Sequence, residues 1–279
     1  MTSALKIKMD EPVVVALSAP HETRWGFTQF PAYSPMPDGS ILLIYADAED
    51  ASETHGEPAP SFTSNDEGKT WTPLKSDLVP ARPHFSVSPA YNGEFLVVPS
   101  LRYFNVKEQN VAVPEPIAES FVYGPLYTYR VSDFDPKVFA YFSQLDARRW
   151  RPSTGKWEDE KVAYDTENLL AWRRKDSDLL PRAFFERPVL KHKGELLYAD
   201  YRVRYAMPDG HIPAKGGTDL MSSDDNGHSF KHRATVAVDR AGDDLYGEPA
   251  LEETADGGVN LCAPQIRSRT ETARDEFLV

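Results

Sequence analysis

Arginines and one glutamate recur at corresponding positions of a segment that is repeated along the sequence. Glu248 and Arg187 each stand immediately before a proline, and Arg102, Arg202 and Arg267 each follow a glycine by eight or nine residues. Guanidinium groups that converge from several repeats bind a carboxylate through paired hydrogen bonds. The pattern therefore favours an anionic ligand, such as an acidic sugar. A structural alternative is that these arginines cap strand ends and pair with nearby acidic residues.

The repeated segment consists of a short strand entered at a proline, a turn containing glycine, and a second apolar strand. This pattern predicts an antiparallel hairpin. The four copies span Gln29–Tyr45, Val87–Val98, Glu186–Tyr198 and Gly247–Cys262. If the first strands of the hairpins surround a common axis, the residues that precede them converge at one end. A ligand is expected to bind at that end, which we call the mouth.

A shorter motif, Ser-x-Asp-x-Gly-x-(Thr/Ser)-(Trp/Phe), occurs twice, at Ser64–Trp71 and at Ser223–Phe230. In a tight hairpin turn the aspartate carboxylate accepts backbone N–H groups, the glycine adopts a positive φ and the aromatic residue anchors the outgoing strand. We assign these structural roles to Ser64, Asp66, Gly68 and Trp71 in the first copy and to Ser223, Asp225, Gly227 and Phe230 in the second.

The shorter motif resembles the Asp-box, or BNR repeat, of the sialidase superfamily. The resemblance implies an all-β fold, a β-propeller of four-stranded antiparallel blades in which the box joins the two outer strands of a blade. We predict one domain over residues 1–279 that covers about four to five blades of a six-bladed propeller. Because no further box follows Arg267, we expect the C-terminus to be incomplete; the alternative is a smaller closed propeller.

The stretch around Glu248 carries the closest resemblance to sialidases. Tyr246-Gly247-Glu248-Pro249 is similar to the sialidase segment in which a glutamate before a proline polarises a nucleophilic tyrosine. The resemblance implies that Glu248 is the base-like catalytic residue and that Arg267 binds the substrate carboxylate. Tyr246 is a further candidate for substrate binding.

Other positions depart from the sialidase pattern. Gln29 stands where the resemblance implies an arginine of the triarginyl cluster, and Arg24 is the nearby residue that would have to replace it. The acid/base aspartate is expected in the loop after the first hairpin, where Asp47 and Asp50 are both candidates and a solvated acidic loop is the alternative. No tyrosine follows Tyr246, so the nucleophile is not identified in this chain.

These residues predict a sialidase-like glycoside hydrolase that removes an acidic or neutral sugar from the end of a glycan. One alternative is a propeller that binds carbohydrate or protein without catalysis, and another is a different exo-glycosidase on the same scaffold. The histidines do not have the spacing of a zinc site, and we expect neither a metal nor an organic cofactor.

Composition narrows the possible partners. A formal net charge of −12 argues against a nucleic-acid or anionic-membrane partner, because both require a basic surface. The sequence has no apolar run long enough for a signal peptide or a membrane span, which predicts a cytoplasmic protein unless the N-terminus is processed. The single cysteine, Cys262, is predicted to be a packed core thiol. The oligomeric state is left open.

Segments outside the repeats carry further predictions. The interval of 99 positions from Pro89 to Pro188 contains either a large insertion in one blade or an extra blade. The remnants of such an extra blade would be Phe139–Phe142 and Ser153–Trp157, whereas Asn105–Ser120 is predicted to be a loop. Asp165–Lys175 has helical propensity. Pro12–Leu17 is predicted to be a strand that completes the last blade.

Overall fold

The computed structural model describes most of the chain as strands joined by turns. The described residues are 11–49, 59–74, 87–98, 103–121, 124–182, 188–201, 204–213, 215–241 and 244–267. Within these ranges the fold is nearly all-β, with one α-helix. No helix in the described part of the chain is long and apolar enough to cross a membrane.

The first unit is a four-stranded antiparallel meander, formed by β1 (Gln29–Pro35), β2 (Ile41–Ala46), β3 (Ser61–Ser64) and β4 (Thr72–Pro73). Along β2, every second side chain is buried, as expected for a strand with one face on the core. The turn between β1 and β2 is closed by Asp38, whose carboxylate accepts a hydrogen bond from the Ser40 backbone N–H at 2.9 Å.

The second and third units have the same strand order. The second unit contains β5 (Val87–Pro89), β6 (Phe95–Val97), β10 (Gln144–Arg151) and β11 (Lys156–Tyr164). The third contains β14 (Leu190–His192), β15 (Glu195–Asp200), β17 (Gly217–Ser223) and β18 (Ser229–Val238). In each unit the first two strands are one of the predicted hairpins.

The fourth predicted hairpin is also present, as β20 (Ala250–Glu253) paired with β21 (Val259–Cys262). In the sequence this hairpin is preceded by β19 (Asp244–Tyr246) and followed by β22 (Gln265–Arg267). These two strands pair with each other.

The first strands of the four hairpins lie side by side in chain order. β1 contacts β5, where the Val87 backbone N–H donates to Ser34 Oγ at 3.0 Å. β5 is joined to the segment entering β14, where the Val189 N–H donates to Ser88 Oγ at 2.9 Å. β14 contacts β20, and His192 Nδ1 lies 3.6 Å from Glu253 Oε1. Inner strands that follow one another around an axis, each opening a meander, make a β-propeller-like fold.

A long insertion separates the inner and outer strands of the second unit. Between β6 and β10 it contains β7 (Tyr103–Asn105), β8 (Ala118–Phe121), β9 (Pro125–Arg130) and helix α1 (Pro136–Ser143). Three further strands lie outside the insertion: β12 (Leu169–Arg174) and β13 (Leu179–Pro181) follow β11, and β16 (Arg204–Tyr205) lies between β15 and β17. Together these strands form a second sheet, with spatial order β16-β12-β9-β8, and a separate pair, β7 with β13. The long interval between the repeats therefore contains an insertion within the second unit, and it also contributes strands to a further four-stranded sheet.

Two clusters of buried side chains hold these sheets together. The larger cluster lies between the second unit, the third unit and the insertion, and includes Tyr129, Leu145, Leu169 and Phe230. The smaller one joins the first unit to the second through Leu42, Ile44, Val87 and Val97. The second and third units are also joined at their outer edges, because β11 and β18 pair in parallel.

Several local predictions were wrong. Phe139–Phe142 lies in α1, which begins after Asp135, whose carboxylate accepts the Lys137 N–H at 2.8 Å. Asp165–Lys175 contains β12 rather than a helix, because pairing with β9 and burial of Leu169–Ala171 outweigh its helical propensity. Ser153–Trp157 belongs to the β10–β11 hairpin of the second unit.

The two ends of the described chain also differ from the predictions. Pro12–Leu17 forms no strand, and Val13, Val14 and Leu17 are exposed. Cys262 is an exposed free thiol, not a core residue, because alternate side chains of β21 face away from the hairpin's packed side.

Candidate functional site

The mouth of the inner strands has unusual backbone geometry at two repeats. Phe30 has φ 51° and Glu248 has φ 48°, and each stands directly before the proline of its repeat. A left-handed backbone conformation is rare for residues with a bulky side chain. Where it occurs, it is often at an active site or a ligand-binding site. At Phe30 it coincides with an irregularity in the β1–β2 ladder between Gln29 and Ala32.

Glu248 is exposed and stands between two paired segments. Before it, Tyr246 pairs with Gln265 across the β19–β22 ladder, and the Gly247 N–H donates to the Pro264 carbonyl at 3.2 Å. After it, β20 begins at Ala250. Both neighbouring segments are therefore held by backbone hydrogen bonds, while the Glu248 side chain is open to solvent.

Arg267 lies on the strand that pairs with the segment leading to Glu248. Its backbone is opposite Asp244, and Asp244 precedes Glu248 by four residues. Asp244 also accepts a hydrogen bond from the Gln265 side-chain amide. The strand that leads to Glu248 and the strand that carries Arg267 are therefore neighbours, although Glu248 lies beyond the end of this ladder.

Gln29 and Asp47 stand at the mouth of the first unit. Gln29 pairs with Ala46 across the β1–β2 ladder, and Asp47 is the next residue, with an exposed side chain. The ladder therefore brings the ends of β1 and β2 together at this point, so that an amide and a carboxylate stand on adjacent strands.

Arg24 is held by a neighbouring carboxylate. Its Nε and Nη2 atoms donate to Glu22 at 2.9 and 2.6 Å, and its guanidinium lies 4.1 Å from the centre of the Phe27 ring. The hydrogen bonds from Arg24 lower the pKa of Glu22 to about 2, and the same hydrogen bonds raise the pKa of Arg24. In this arrangement the Arg24 charge is balanced by Glu22.

Four of the candidate residues lie outside the described residues, namely Asp50, Arg102, Arg187 and Arg202. For Arg267 the structure describes the backbone pairing given above. The arginine cluster inferred from the repeats therefore stays a prediction.

A buried polar cluster in the third unit was not anticipated from the sequence. Asp200 and Asp219 lie opposite each other across the β15–β17 ladder, and each is 1% exposed. Asp219 Oδ1 lies 3.0 Å from His232 Nε2 and accepts a hydrogen bond from Thr235 Oγ1 at 2.6 Å. Burial raises the pKa of Asp219, although the hydrogen bonds from His232 and Thr235 act in the opposite direction.

The cluster connects the third unit to the second sheet, through Tyr205 on β16. The Tyr205 ring stacks on the His232 ring at 3.9 Å, and the Tyr205 hydroxyl donates to the Asp165 carbonyl at 2.9 Å. The His232 backbone N–H donates to Asp165 Oδ2 at 3.1 Å. Arg204, also buried, lies 5.2 Å from the Trp172 ring. The sequence shows that Asp200 ends an apolar strand. It does not show that Asp219 is the residue opposite Asp200 on the neighbouring strand.

A second ionic network joins the second unit to the third. Arg149 is fully buried, and its Nη2 donates to Glu160 Oε1 at 2.7 Å while its Nη1 donates to Glu94 Oε2 at 3.1 Å. Nη1 also donates to the Asn226 carbonyl at 3.0 Å, in the turn between β17 and β18. Arg151 pairs with both glutamates. This network joins β10 and β11 to the turn between β5 and β6 and to the turn between β17 and β18, so we assign it a structural role.

The segments Ser64–Trp71 and Ser223–Phe230, which we call the box turns, have nearly the same hydrogen bonds. Asp66 accepts from Ser64 Oγ, from the Thr70 N–H and from Thr70 Oγ1 at 2.8, 2.8 and 2.6 Å. Asp225 accepts from the corresponding groups of Ser223 and Ser229 at 2.7, 2.9 and 2.6 Å. Both carboxylates are therefore engaged by their own turns.

The aromatic residues that end the box turns differ. Phe230 is 1% exposed and packs edge-on against Tyr198. Trp71 is half-buried, and its indole N–H donates to the Gly68 carbonyl at 2.9 Å. The second box turn is therefore anchored in the core, while the first closes on itself at the periphery. Among the described residues, no group of histidine, cysteine and acidic side chains could hold a metal ion.

No model of a known protein family matches the sequence, and no curated protein does. Among solved structures, the chain is similar to the Hadza microbial sialidase Hz136, with 13% identity, a TM-score of 0.42, and coverage of 84% of this chain and 41% of that one. It is also similar to an exo-beta-1,3-galactanase from Phanerochaete chrysosporium, with 9% identity, a TM-score of 0.25, and coverage of 81% and 56%.

A third similar structure is NanB with Optactamide, with 10% identity, a TM-score of 0.27, and coverage of 91% of this chain and 68% of that one. The chain spans less than half the length of the Hadza sialidase and little more than half that of the galactanase.

Proposed function

We propose that this chain contributes the glycan-binding mouth of an exo-acting glycosidase, with Glu248 as its base-like residue. The observation that carries the proposal is the geometry of Glu248, an exposed carboxylate in left-handed backbone directly before Pro249, at the entry to an inner strand. Strained backbone that is held on both sides by paired strands is typical of residues that a site must orient.

The chemistry follows from the resemblance of the Glu248 segment to sialidases. A glycosidase with an oxocarbenium-like transition state needs a nucleophile or base on one side of the scissile bond and an acid on the other. Glu248 would polarise a tyrosine, and Asp47 or Asp50 would protonate the leaving group. The proposal assigns the nucleophilic tyrosine to no residue of this chain, because none follows Tyr246 in the sequence.

A second candidate function is carbohydrate binding without catalysis. Two observations favour it: Gln29 is neutral at the position where the sialidase resemblance calls for arginine, and the charge of Arg24 is balanced by Glu22. A mouth that binds a glycan through amides and aromatic rings does not need the arginine cluster.

Turnover of a panel of chromogenic glycosides by wild type and by Glu248→Gln distinguishes the two functions. If the glycosidase proposal is correct, Glu248→Gln lowers kcat by about a hundredfold or more, because a general base typically contributes that much, while the melting temperature stays unchanged. Glu252→Gln, at an exposed glutamate of the same hairpin, is the matched control and should retain activity.

Retained activity in Glu248→Gln would contradict the assignment of this residue. Glycan binding by the wild type without any turnover would instead favour the non-catalytic function.

A further inference from the structure

The first unit carries apolar side chains on both faces of its sheet. Leu42 and Ile44 belong to the smaller buried cluster, where they meet the second unit. Ile41, Leu43 and Tyr45 alternate with them along β2 and therefore lie on the other face. A strand with one solvated face normally alternates apolar with polar residues, so an apolar second face indicates a surface that packs against another layer.

An unbroken apolar row crosses this second face. Tyr33 on β1 pairs with Leu43 on β2. Leu43 pairs in turn with Phe62 on β3, and Phe62 pairs with Pro73 on β4, so the four strands each place one residue in the row. Tyr45 widens the row, because its ring stacks on the Phe62 ring with centres 6.1 Å apart and planes inclined at 18°. We call the surface formed by these five residues the outer face.

The outer face lies outside both buried clusters. Tyr33 is 76% exposed, and Pro73 is also exposed. Leu43, Tyr45 and Phe62 are partly exposed. Within the described part of the chain, neither cluster includes any of these five residues, and none of them packs against a cluster from its edge. A contiguous apolar surface that spans four strands marks an interaction site, whereas a single exposed hydrophobic residue does not.

The outer face is turned away from the second unit. The opposite side of the sheet packs against that unit, where Val87 joins the smaller cluster and its backbone N–H donates to Ser34 Oγ at 3.0 Å. Unit-to-unit packing continues along the molecule, from β5 to the segment entering β14 and from β14 to β20. A sheet that is apolar on both faces needs a packed layer on each, so the outer face is suited to receive a further sheet.

The surface that best matches the outer face is the same face of a second copy. At the other end of the row of inner strands, the fourth hairpin exposes Glu252 and its strand partner Asn260, and burying that carboxylate against an apolar row is unfavourable. The outer face itself contains no charged residue. Two copies of a chain with a net charge of −12 can therefore meet there without bringing their carboxylates together.

We propose that the outer face is a dimer interface, at which two copies pack their first units face to face about a two-fold axis. In such an isologous contact the same patch serves both partners, so the row from Tyr33 to Pro73 lies against its own counterpart. Sheets packed in this way stand about 10 Å apart and interdigitate their side chains, for which the rings of Tyr33, Tyr45 and Phe62 supply the bulk. The interface does not depend on the glycosidase proposal.

Sedimentation equilibrium of the 279-residue chain tests the interface, in a reductant that keeps the exposed Cys262 from linking copies. We expect the wild type to show a reversible monomer–dimer equilibrium between about 1 μM and about 1 mM protein. Tyr33→Glu should weaken the dimer about tenfold or more, because it buries a carboxylate in an apolar contact. Phe121→Glu, at an exposed aromatic residue of β8, is the matched control and should dimerise like the wild type. Both replaced side chains are more than half exposed, so neither variant should melt at a much lower temperature than the wild type.

A charge-pairing experiment tests the face-to-face arrangement. Tyr33→Lys should weaken self-association as Tyr33→Glu does, whereas an equimolar mixture of the two variants should dimerise more tightly than either alone, because opposite charges then meet. A wild type that stays monomeric, or a Tyr33→Glu variant that dimerises as tightly as Phe121→Glu, would overturn the interface. If both Tyr33 variants lose the dimer and the mixture does not recover it, the outer face meets a different surface and the two-fold arrangement is wrong.

Discussion

Asp200 and Asp219 lie directly opposite each other in the β15–β17 ladder, and both carboxylates are buried. Opposed residues of an antiparallel pair place their side chains on the same face within a few ångströms, so two acids there are unfavourable unless other groups compensate. The compensation comes from the Tyr198 hydroxyl, which donates to Asp200 Oδ2 at 3.2 Å, and from His232 and Thr235 around Asp219.

Removing the Asp219 carboxylate should destabilise the protein. Asp219→Ala leaves the hydroxyl of Thr235 and the ring of His232 without their buried acceptor, which we expect to lower the free energy of unfolding by about 1–3 kcal/mol. Urea denaturation monitored by tyrosine and tryptophan fluorescence measures the change. Asp224→Ala, at an exposed residue of the adjacent turn, is the control, and an equal effect of both substitutions would contradict the role given to Asp219.

The same carboxylate should give a distinctive pH dependence. Burial raises the pKa of Asp219 above its usual 3.8, so its contribution to stability is greatest below that value and is lost as the pH rises through the folded pKa. Asp219→Asn stays neutral throughout. The free energy of unfolding of this variant, relative to wild type, should therefore increase as the pH rises from about 4 towards neutrality. A difference that does not vary with pH would show that the carboxylate is not perturbed.

The first box turn should lose stability in acid. Hydrogen bonds from Thr70 and Ser64 lower the pKa of Asp66 to about 2, from a usual value of 3.8. Its contribution is therefore complete above the usual value and disappears as the pH falls through about 2. We expect the melting temperature of Asp66→Asn to lie below that of wild type at neutral pH and to approach it in this acid range. Parallel curves for the two proteins would rule out the titration of Asp66 as the cause.

Gly68 and Gly227 offer a matched pair, because both have φ near 85° in equivalent turns. Alanine at Gly68 should cost about 1–2 kcal/mol for left-handed backbone. At Gly227 the added methyl would also come within 3.0 Å of Leu96 and 3.1 Å of Leu196, so the total should be about 2–4 kcal/mol. Urea denaturation of both variants measures the difference, and an equal cost at the two sites would contradict the tight packing of the second box turn.

Breaking the Arg149 network should be among the more damaging changes. Arg149→Met leaves Glu94 and Glu160 largely buried and partly uncompensated, which we expect to cost about 3–5 kcal/mol in the free energy of unfolding. Arg233→Met removes a half-exposed pair with Glu195 and should cost less than about 1 kcal/mol. Similar values from chemical denaturation of the two variants would mean that the burial of Arg149 has no energetic consequence.

Local sequence patterns were sufficient for the elements whose structure depends on neighbours in the chain. The four hairpins could be predicted because a proline entry, a turn glycine and an apolar run each act within a few residues. The same holds for the box turns, in which Asp66 and Asp225 bond to groups no more than four residues away.

Predictions failed where distant contacts outweigh local preference. Residues 165–175 have helical propensity, but Leu169–Arg174 forms a strand because β9 supplies its hydrogen-bonding partners and the larger core buries Leu169 and Ala171. The apolar residues Phe139–Phe142 suggest a strand, but they lie in α1. Asp135 and Pro136 begin this helix.

For the candidate site, the sequence by itself determined which residues stand just before each repeat proline, and so gave Gln29 and Glu248 as candidates. The tertiary structure alone decided the left-handed backbone at Phe30 and Glu248 and the opposition of Asp200 to Asp219. The physical reason is that strand register, burial and charge pairing depend on which segments meet in space, and residue spacing along the chain does not encode those meetings.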